Sequence, residues 1–189
     1  MRRKGVDKEE TRLSVIDAAS RQFRRHGYAG VGVDALAKGA GVTSGAIYAH
    51  FGSKAGIFDI ALEVGLNEVI EGLPVLQAER GSEWLDAFID YYLGAAHRND
   101  MERVCAMASL TPEVIHFEGD IHRRYEAKMQ EIAAIVANGL GESSTDKMAK
   151  AWMILSLLTG GLNIARAMSS EAVAEQVTKS VKEAVRALV

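Results

Sequence analysis

Residues 39–51 read Gly39-Ala40-Gly41-Val42-Thr43-Ser44-Gly45-Ala46-Ile47-Tyr48-Ala49-His50-Phe51. The glycines break whatever precedes them. Thr43 or Ser44 stands where a helix N-cap belongs, and Ile47 and Phe51, four residues apart, share one face of the short helix that follows. Gly52-Ser53 ends it, and Ser53 caps a longer helix over residues 54–70 in which Phe58, Leu62 and Leu66 line up. Upstream, Val33, Leu36 and Ala37 make one apolar side of a second short helix over 33–38, with Gly32 at its N-cap. Before that, Leu13, Ile16, Ala19 and Phe23 fall at spacings of three and four across 9–26. Gly27 can then take the left-handed C-cap conformation. Three short helices with a glycine turn before the third make a helix-turn-helix candidate, whose last helix would enter a major groove leading end first.

The side chains suit that task. Thr43 and Ser44 place hydroxyls at a helix start, where unpaired N–H groups and the helix dipole favour a phosphate. Gly45 lets backbone approach a base edge closely. Ile47 and Phe51 anchor the helix, while Ser44, Tyr48 and Ala49 project the other way. The polar tips of Tyr48 and His50 can bond phosphate oxygens, and Lys54 adds a charge. Taken singly, Tyr48 also reads as a half-buried structural tyrosine and His50 as a capping histidine. Charge is divided in the same sense: residues 1–54 hold ten Lys/Arg against five Asp/Glu, a net of +5, and the remainder twelve against twenty, a net of −8. A basic head on an acidic body fits a head that meets a polyanion.

The run Ala18-Ala19, Phe23, Gly27-Tyr28, Val33, Leu36-Ala37, then 40–51 and Lys54 resembles the N-terminal signature of the TetR (tetracycline-repressor-like) family over about residues 11–58. The resemblance implies an all-α chain, with a three-helix DNA-binding domain over 1–54 and a helical effector-binding and dimerisation domain over 55–189. It implies a regulator, usually a repressor, released from a double-stranded DNA operator by a small-molecule effector. Thr43, Tyr48, His50 and Lys54 would hold phosphates, and Ser44, Gly45 and Ala46 would lie nearest the bases. The family usually shows Thr or Ser before the second helix; here Val31-Gly32 lacks that hydroxyl, which Arg3 and Lys4 of the basic tail would replace from a minor groove.

Downstream, breaks are expected at Leu73-Pro74 or 79–82, and helices over 84–97, 102–109 (ending before Thr111-Pro112), 113–138, 145–168 and 171–188. The helix over 145–168 is apolar on two sides, through Trp152, Leu155, Leu158 and Leu162 and through a small-residue stripe that includes Gly160 and Asn163; such a helix is buried twice. With Val177 and Val181 of the last helix it would build the homodimer interface by which the family pairs. Trp84, Phe88, Tyr92, Cys105, Phe117, Tyr125 and Asn163 are candidates for a mostly apolar effector pocket.

A single cysteine, Cys105, excludes an intrachain disulfide and suits a cytoplasmic protein. Beside Arg103 it is either an inert thiol or a sensor of oxidants or electrophiles. The charged N-terminus lacks the apolar core of a secretory signal. The apolar stretch 151–165 falls short of a membrane span, so no membrane partner is expected. No metal, cofactor or nucleotide signature appears. An enzyme pairing Cys105 with His97 or His116 is the rival reading, but it leaves the basic helix-turn-helix unexplained.

Overall fold

The first helix stops at the glycine expected to stop it. In the computed structural model, which describes residues 4–141 and 146–189, α1 (Lys4–His26) ends where Gly27 takes φ +70° and donates its N–H to Phe23 O at 2.9 Å. There follow α2 (Val33–Ala40), α3 (Ser44–Phe51), α4 (Lys54–Arg80), a 3-10 turn at Gly81–Glu83, α5 (Trp84–Tyr92), α6 (Ala95–Asn99), α7 (Ala106–Val114), α8 (Asp120–Gly139), α9 (Lys147–Ala167) and α10 (Glu171–Arg186). Among the described residues there is no strand: the fold is all-α, as expected. Two compact units divide the chain, one of residues 1–65 with 101–122 and the other of 66–100 with 123–189.

The first unit is built on Val15, Ile16, Ala19 and Phe23 of α1, Leu36 of α2, Ile47 and Phe51 of α3, and Ile57, Phe58 and Leu62 of α4, all buried. Leu13, expected in the α1 stripe, is 56% exposed; Val15 takes its place. Phe58 stacks on Phe117 (4.8 Å between centroids, 13° between planes) and meets Phe23 and Tyr28 edge-on at 5.5 and 5.4 Å. Arg25 pairs with Glu102 at 2.7 Å. The helix expected over 102–109 and the long one from 113 are both corrected. Buried Ala106, Met107, Leu110 and Val114 carry α7 past Pro112, and the break falls instead before α8, where Gly119 has φ +67°.

In the second unit α4 also runs through its proline rather than stopping there, with Leu73 buried beside Pro74. The single helix expected over 84–97 divides into α5 and α6. A Cβ at Gly94 would lie 2.8 Å from Asp90 O, so only glycine lets the chain turn this tightly. Lys182 and Arg186 of α10 reach back to α5: Lys182 bonds Asp90 at 2.8 Å, which together with Arg186 holds that carboxyl below the usual range, and Arg186 bonds Asp86 at 2.6 Å. By length and composition α9 is long and apolar enough to cross a membrane, more so than the interrupted stretch suggested. Here it packs on α10, α5 and α6 as a core helix does.

Helix α9 packs tightly on α10 at Gly161, where a Cβ would stand 2.6 Å from Val181 Cγ2. Gly161→Ala should therefore lower stability by about 1–3 kcal/mol through overpacking. At neighbouring Gly160 nothing lies within 4 Å of the same atom. Gly160→Ala should leave the urea midpoint unchanged or raise it, since alanine favours a helix by about 1 kcal/mol over glycine. Equal midpoints for the two variants would contradict the packing.

His97 is buried, and its Nδ1 donates to Tyr92 O at 2.7 Å; a carbonyl only accepts, so in the neutral ring the proton sits on Nδ1. Burial, and the nearby Arg166 guanidinium, push its pKa below the ordinary 6.5, against the opposite pull of the Tyr92 carbonyl and Asp100. The folded protein thus prefers neutral His97, and the unfolded chain binds the extra proton. Stability from this group is complete above pH 6.5 and declines as pH falls from 6.5 toward the lowered value. Urea titrations from pH 7.5 to 5 should show that decline in the parent and a shallower one in His97→Gln.

Candidate nucleic-acid interface

The turn between α2 and α3 is closed first by backbone hydrogen bonds. Gly41 (φ +69°) donates its N–H to Lys38 O, and Val42 N–H donates to Ala37 O at 2.9 Å, taking up carbonyls left open at the end of α2. Thr43, extended at φ −91°, is the cap of α3, and its Oγ1 accepts from Ala46 N–H at 3.2 Å. The Thr43 hydroxyl proton therefore remains for a partner outside. Gly32 caps α2 without a side-chain bond, as its lack of a side chain requires.

Ile47 is fully buried and Phe51 nearly so, while Thr43, Gly45, Tyr48 and Ala49 are exposed and Ser44, Ala46 and His50 half-buried. Tyr48 is 52% exposed, its ring outside the core. Gly45 is unfilled: an added Cβ would meet only Thr43 Oγ1, at 3.8 Å. Ser53 caps α4, accepting from Gly56 N–H at 3.0 Å. One residue on, Lys54 Nζ lies 4.2 Å from the Tyr28 ring centroid, a cation–π contact that steadies the charge at the edge of α3. Arg2 and Arg3 lie outside the described residues, and Lys4 is the first residue of α1.

Several partners are not visible in sequence. Ser44 Oγ donates to Asp34 Oδ1 at 2.5 Å, and Ser14 Oγ to Ala40 O at 3.3 Å. The Arg12 guanidinium stands 6.0 Å from the Phe51 ring centroid. Each pair depends on the three-helix geometry.

Of the expected effector residues, Trp84, Phe88 and Tyr92 follow one another along the buried face of α5, with ring centroids 6.4 and 5.5 Å apart. The Trp84 indole N–H donates to Gly139 O at 2.9 Å. A cleft of about 410 Å³ opens beside Trp84, Leu85, Ile89 and Leu140, with Asp86 and Arg186 on its polar side. Tyr125 and Asn163 are half-buried in the same unit. Cys105 and Phe117 belong to the first unit. Cys105 caps α7, its carbonyl accepting from Ser109 Oγ, and Phe117 is part of the ring cluster. Of the expected interface residues, Trp152 is 37% exposed, Gly160 and Val177 are half-buried, and Val181 already packs on Gly161 within the chain.

The family model described as bacterial regulatory proteins, tetR family, matches residues 15–61, from α1 into α4. The HTH-type transcriptional repressor SCO4008 of Streptomyces coelicolor is 34% identical over 91 residues, 48% of this chain and 46% of that protein. The HTH-type transcriptional regulator TtgR of Pseudomonas putida is 41% identical over 63 residues, 33% of this chain and 30% of that protein. These matches span a third to a half of the relatives' lengths. The fold extends further. A TetR-family regulator from Cytophaga hutchinsonii superposes with a TM-score of 0.80 at 19% identity, covering 96% of each chain. Reduced Escherichia coli NemR superposes with 0.74 at 20% identity, over 92% of this chain and 95% of that one. The signature and the helix-turn-helix thus match the tetR family of bacterial regulatory proteins over residues 15–61, and the whole chain shares the fold of solved TetR-family regulators.

Proposed function

We propose that the chain is a sequence-specific DNA-binding transcription regulator, a repressor that a small-molecule effector releases from its operator. One observation carries the reading: α3 is clamped from behind by Ile47 and Phe51 and leaves its leading end, Thr43 to Ala46, beside exposed Tyr48. In this reading Thr43, Tyr48, His50 and Lys54 hold phosphates, Ser44, Gly45 and Ala46 face the bases, and Arg3 and Lys4 reach the adjoining minor groove. The name of the repressor SCO4008 supports repression over activation. Such a regulator acts in the cytoplasm, on DNA and not as an enzyme.

The DNA-reading part is assigned to 1–54 and effector binding and dimerisation to 55–189. Pairing with a second copy through α9 and α10 is supported by apolar side chains those helices leave exposed: Trp152, Met153, Ile164 and Val173. Dimers match two half-sites about one helical turn apart. A small apolar effector would bind in the second unit, where Trp84, Phe88, Tyr92, Tyr125 and Asn163 would give it an aromatic, weakly polar lining. By linkage it weakens DNA binding only as far as it prefers the state in which the heads no longer fit successive grooves.

A band shift against the DNA flanking its own gene tests the reading, with Gly45→Ala as the informative variant. A methyl at Gly45 has room in the free protein, so the variant should melt no lower than the parent. On DNA, where the backbone must approach a base edge, the same methyl should reduce affinity about tenfold, the worth of a lost close contact of roughly 1.4 kcal/mol. A parent that shifts no fragment removes the proposal. A Gly45→Ala that binds as well as the parent removes α3 as the reading helix.

A further inference from the structure

Ser44, the first residue of α3, donates its hydroxyl proton to Oδ1 of Asp34 at 2.5 Å. Ten positions separate the two, but the Gly41 turn brings the first turn of α2 beside the first turn of α3. Asp34 is exposed, and a carboxylate in the opening turn of a helix is favoured by the dipole. An O–H···O⁻ contact of this length belongs to the charge-assisted class. A serine hydroxyl has one proton and two lone pairs. With that proton held by Asp34, Ser44 can only accept. Its neighbour has the opposite polarity: Thr43 Oγ1 accepts from Ala46 N–H and keeps its own proton to give.

A hydroxyl restricted to accepting is useless to a phosphate oxygen, which has no hydrogen, and the Asp34 carboxylate beside it repels one. It suits an exocyclic amino group. In the major groove those groups are N4 of cytosine and N6 of adenine, whereas O6 of guanine and O4 of thymine accept. We propose that Asp34 is a specificity-determining positioning residue: by holding the Ser44 proton it makes Ser44 read an amino-bearing base and turn away a keto-bearing one. Every base pair carries one amino and one keto group on opposite strands in that groove. The pair Asp34–Ser44 therefore reads which strand presents the amino group, not A·T against G·C. This rests on the assignment of α3 as the DNA-facing helix.

The test is enrichment from a pool of random-sequence duplexes, run on the full chain and on Asp34→Ala, Asp34→Asn, Ser44→Ala and the double alanine variant, each checked by thermal melting. The parent is expected to enrich a motif with one position per half-site where cytosine or adenine on a given strand is preferred about twofold to tenfold, the range of a single net hydrogen bond. Asp34→Ala and Ser44→Ala should each erase that preference at that position alone, and the double variant should erase no more. Asp34→Asn, whose amide oxygen still takes the Ser44 proton, should keep it. That rescue distinguishes positioning from a loss of fold or charge. If the parent enriches a motif and Asp34→Ala leaves every position unchanged, or weakens all positions evenly, the role of Asp34 is overturned while the DNA-reading function stands. If the parent enriches nothing, both fall together.

Discussion

Phe58→Ala should destabilise the protein by about 3–5 kcal/mol, lowering its melting temperature by roughly 6–20 °C. The residue is fully buried, and its ring touches three others, Phe23, Tyr28 and Phe117. Alanine loses the transfer free energy of the ring and leaves a cavity whose walls come from α1, the segment after Gly27, α4 and the segment after α7. Those elements are tied elsewhere, by Ser14 to Ala40 and by Arg25 to Glu102, so the cavity cannot collapse freely. The damage should be local to the first unit: amide exchange should rise through α3 and the start of α4 and change little in α5. Phe58→Leu, which refills most of the volume, should recover more than half of the loss. A melting temperature within a degree or so of the parent would mean that the four rings are not a packed cluster.

The same cluster shows what the sequence could and could not reveal. Ile47, Phe51, Gly27 and the cap at Thr43 or Ser44 were legible because their roles are local: a face repeated at four residues, a left-handed glycine, an N-cap. Their positions agree with expectation almost residue for residue. Phe117 was not legible. An aromatic in the middle of a helical chain satisfies the composition of a ligand pocket and of a core equally well, and only its stacking on Phe58 decides where its ring is engaged. The helix boundaries near Pro112 were misread for a related reason. Proline predicts a break from local chemistry, but a helix whose Ala106, Met107, Leu110 and Val114 are buried is held by packing that local chemistry does not contain. Asp34 and Tyr28 were missed as partners of Ser44 and Lys54, since pairings across ten and twenty-six positions exist only once three helices have closed on one another.

Salt should produce the largest effect on function. A dimer that neutralises about six to ten phosphates loses roughly 10³–10⁵ in affinity between 50 and 200 mM monovalent salt, because each contact displaces a condensed counterion whose release is worth less as bulk salt rises. The +5 charge of residues 1–54 is ample for three to five such contacts per subunit. In the proposed reading Lys54 would be the clearest of them: its ammonium is held over the Tyr28 ring at 4.2 Å, so little freedom would be lost when a phosphate arrives. Lys54→Ala should lower affinity for all sequences alike and reduce the slope of log K against log salt by about 2 per dimer, one contact from each subunit. Operator preference should stay as it was, in contrast to Asp34→Ala, whose effect is confined to one position per half-site. Titrations by fluorescence anisotropy at four or five salt concentrations, on the enriched duplex and on one scrambled duplex, supply both slopes. An unchanged slope for Lys54→Ala would place this lysine off the phosphate backbone, and the cation–π contact with Tyr28 would then be its whole role.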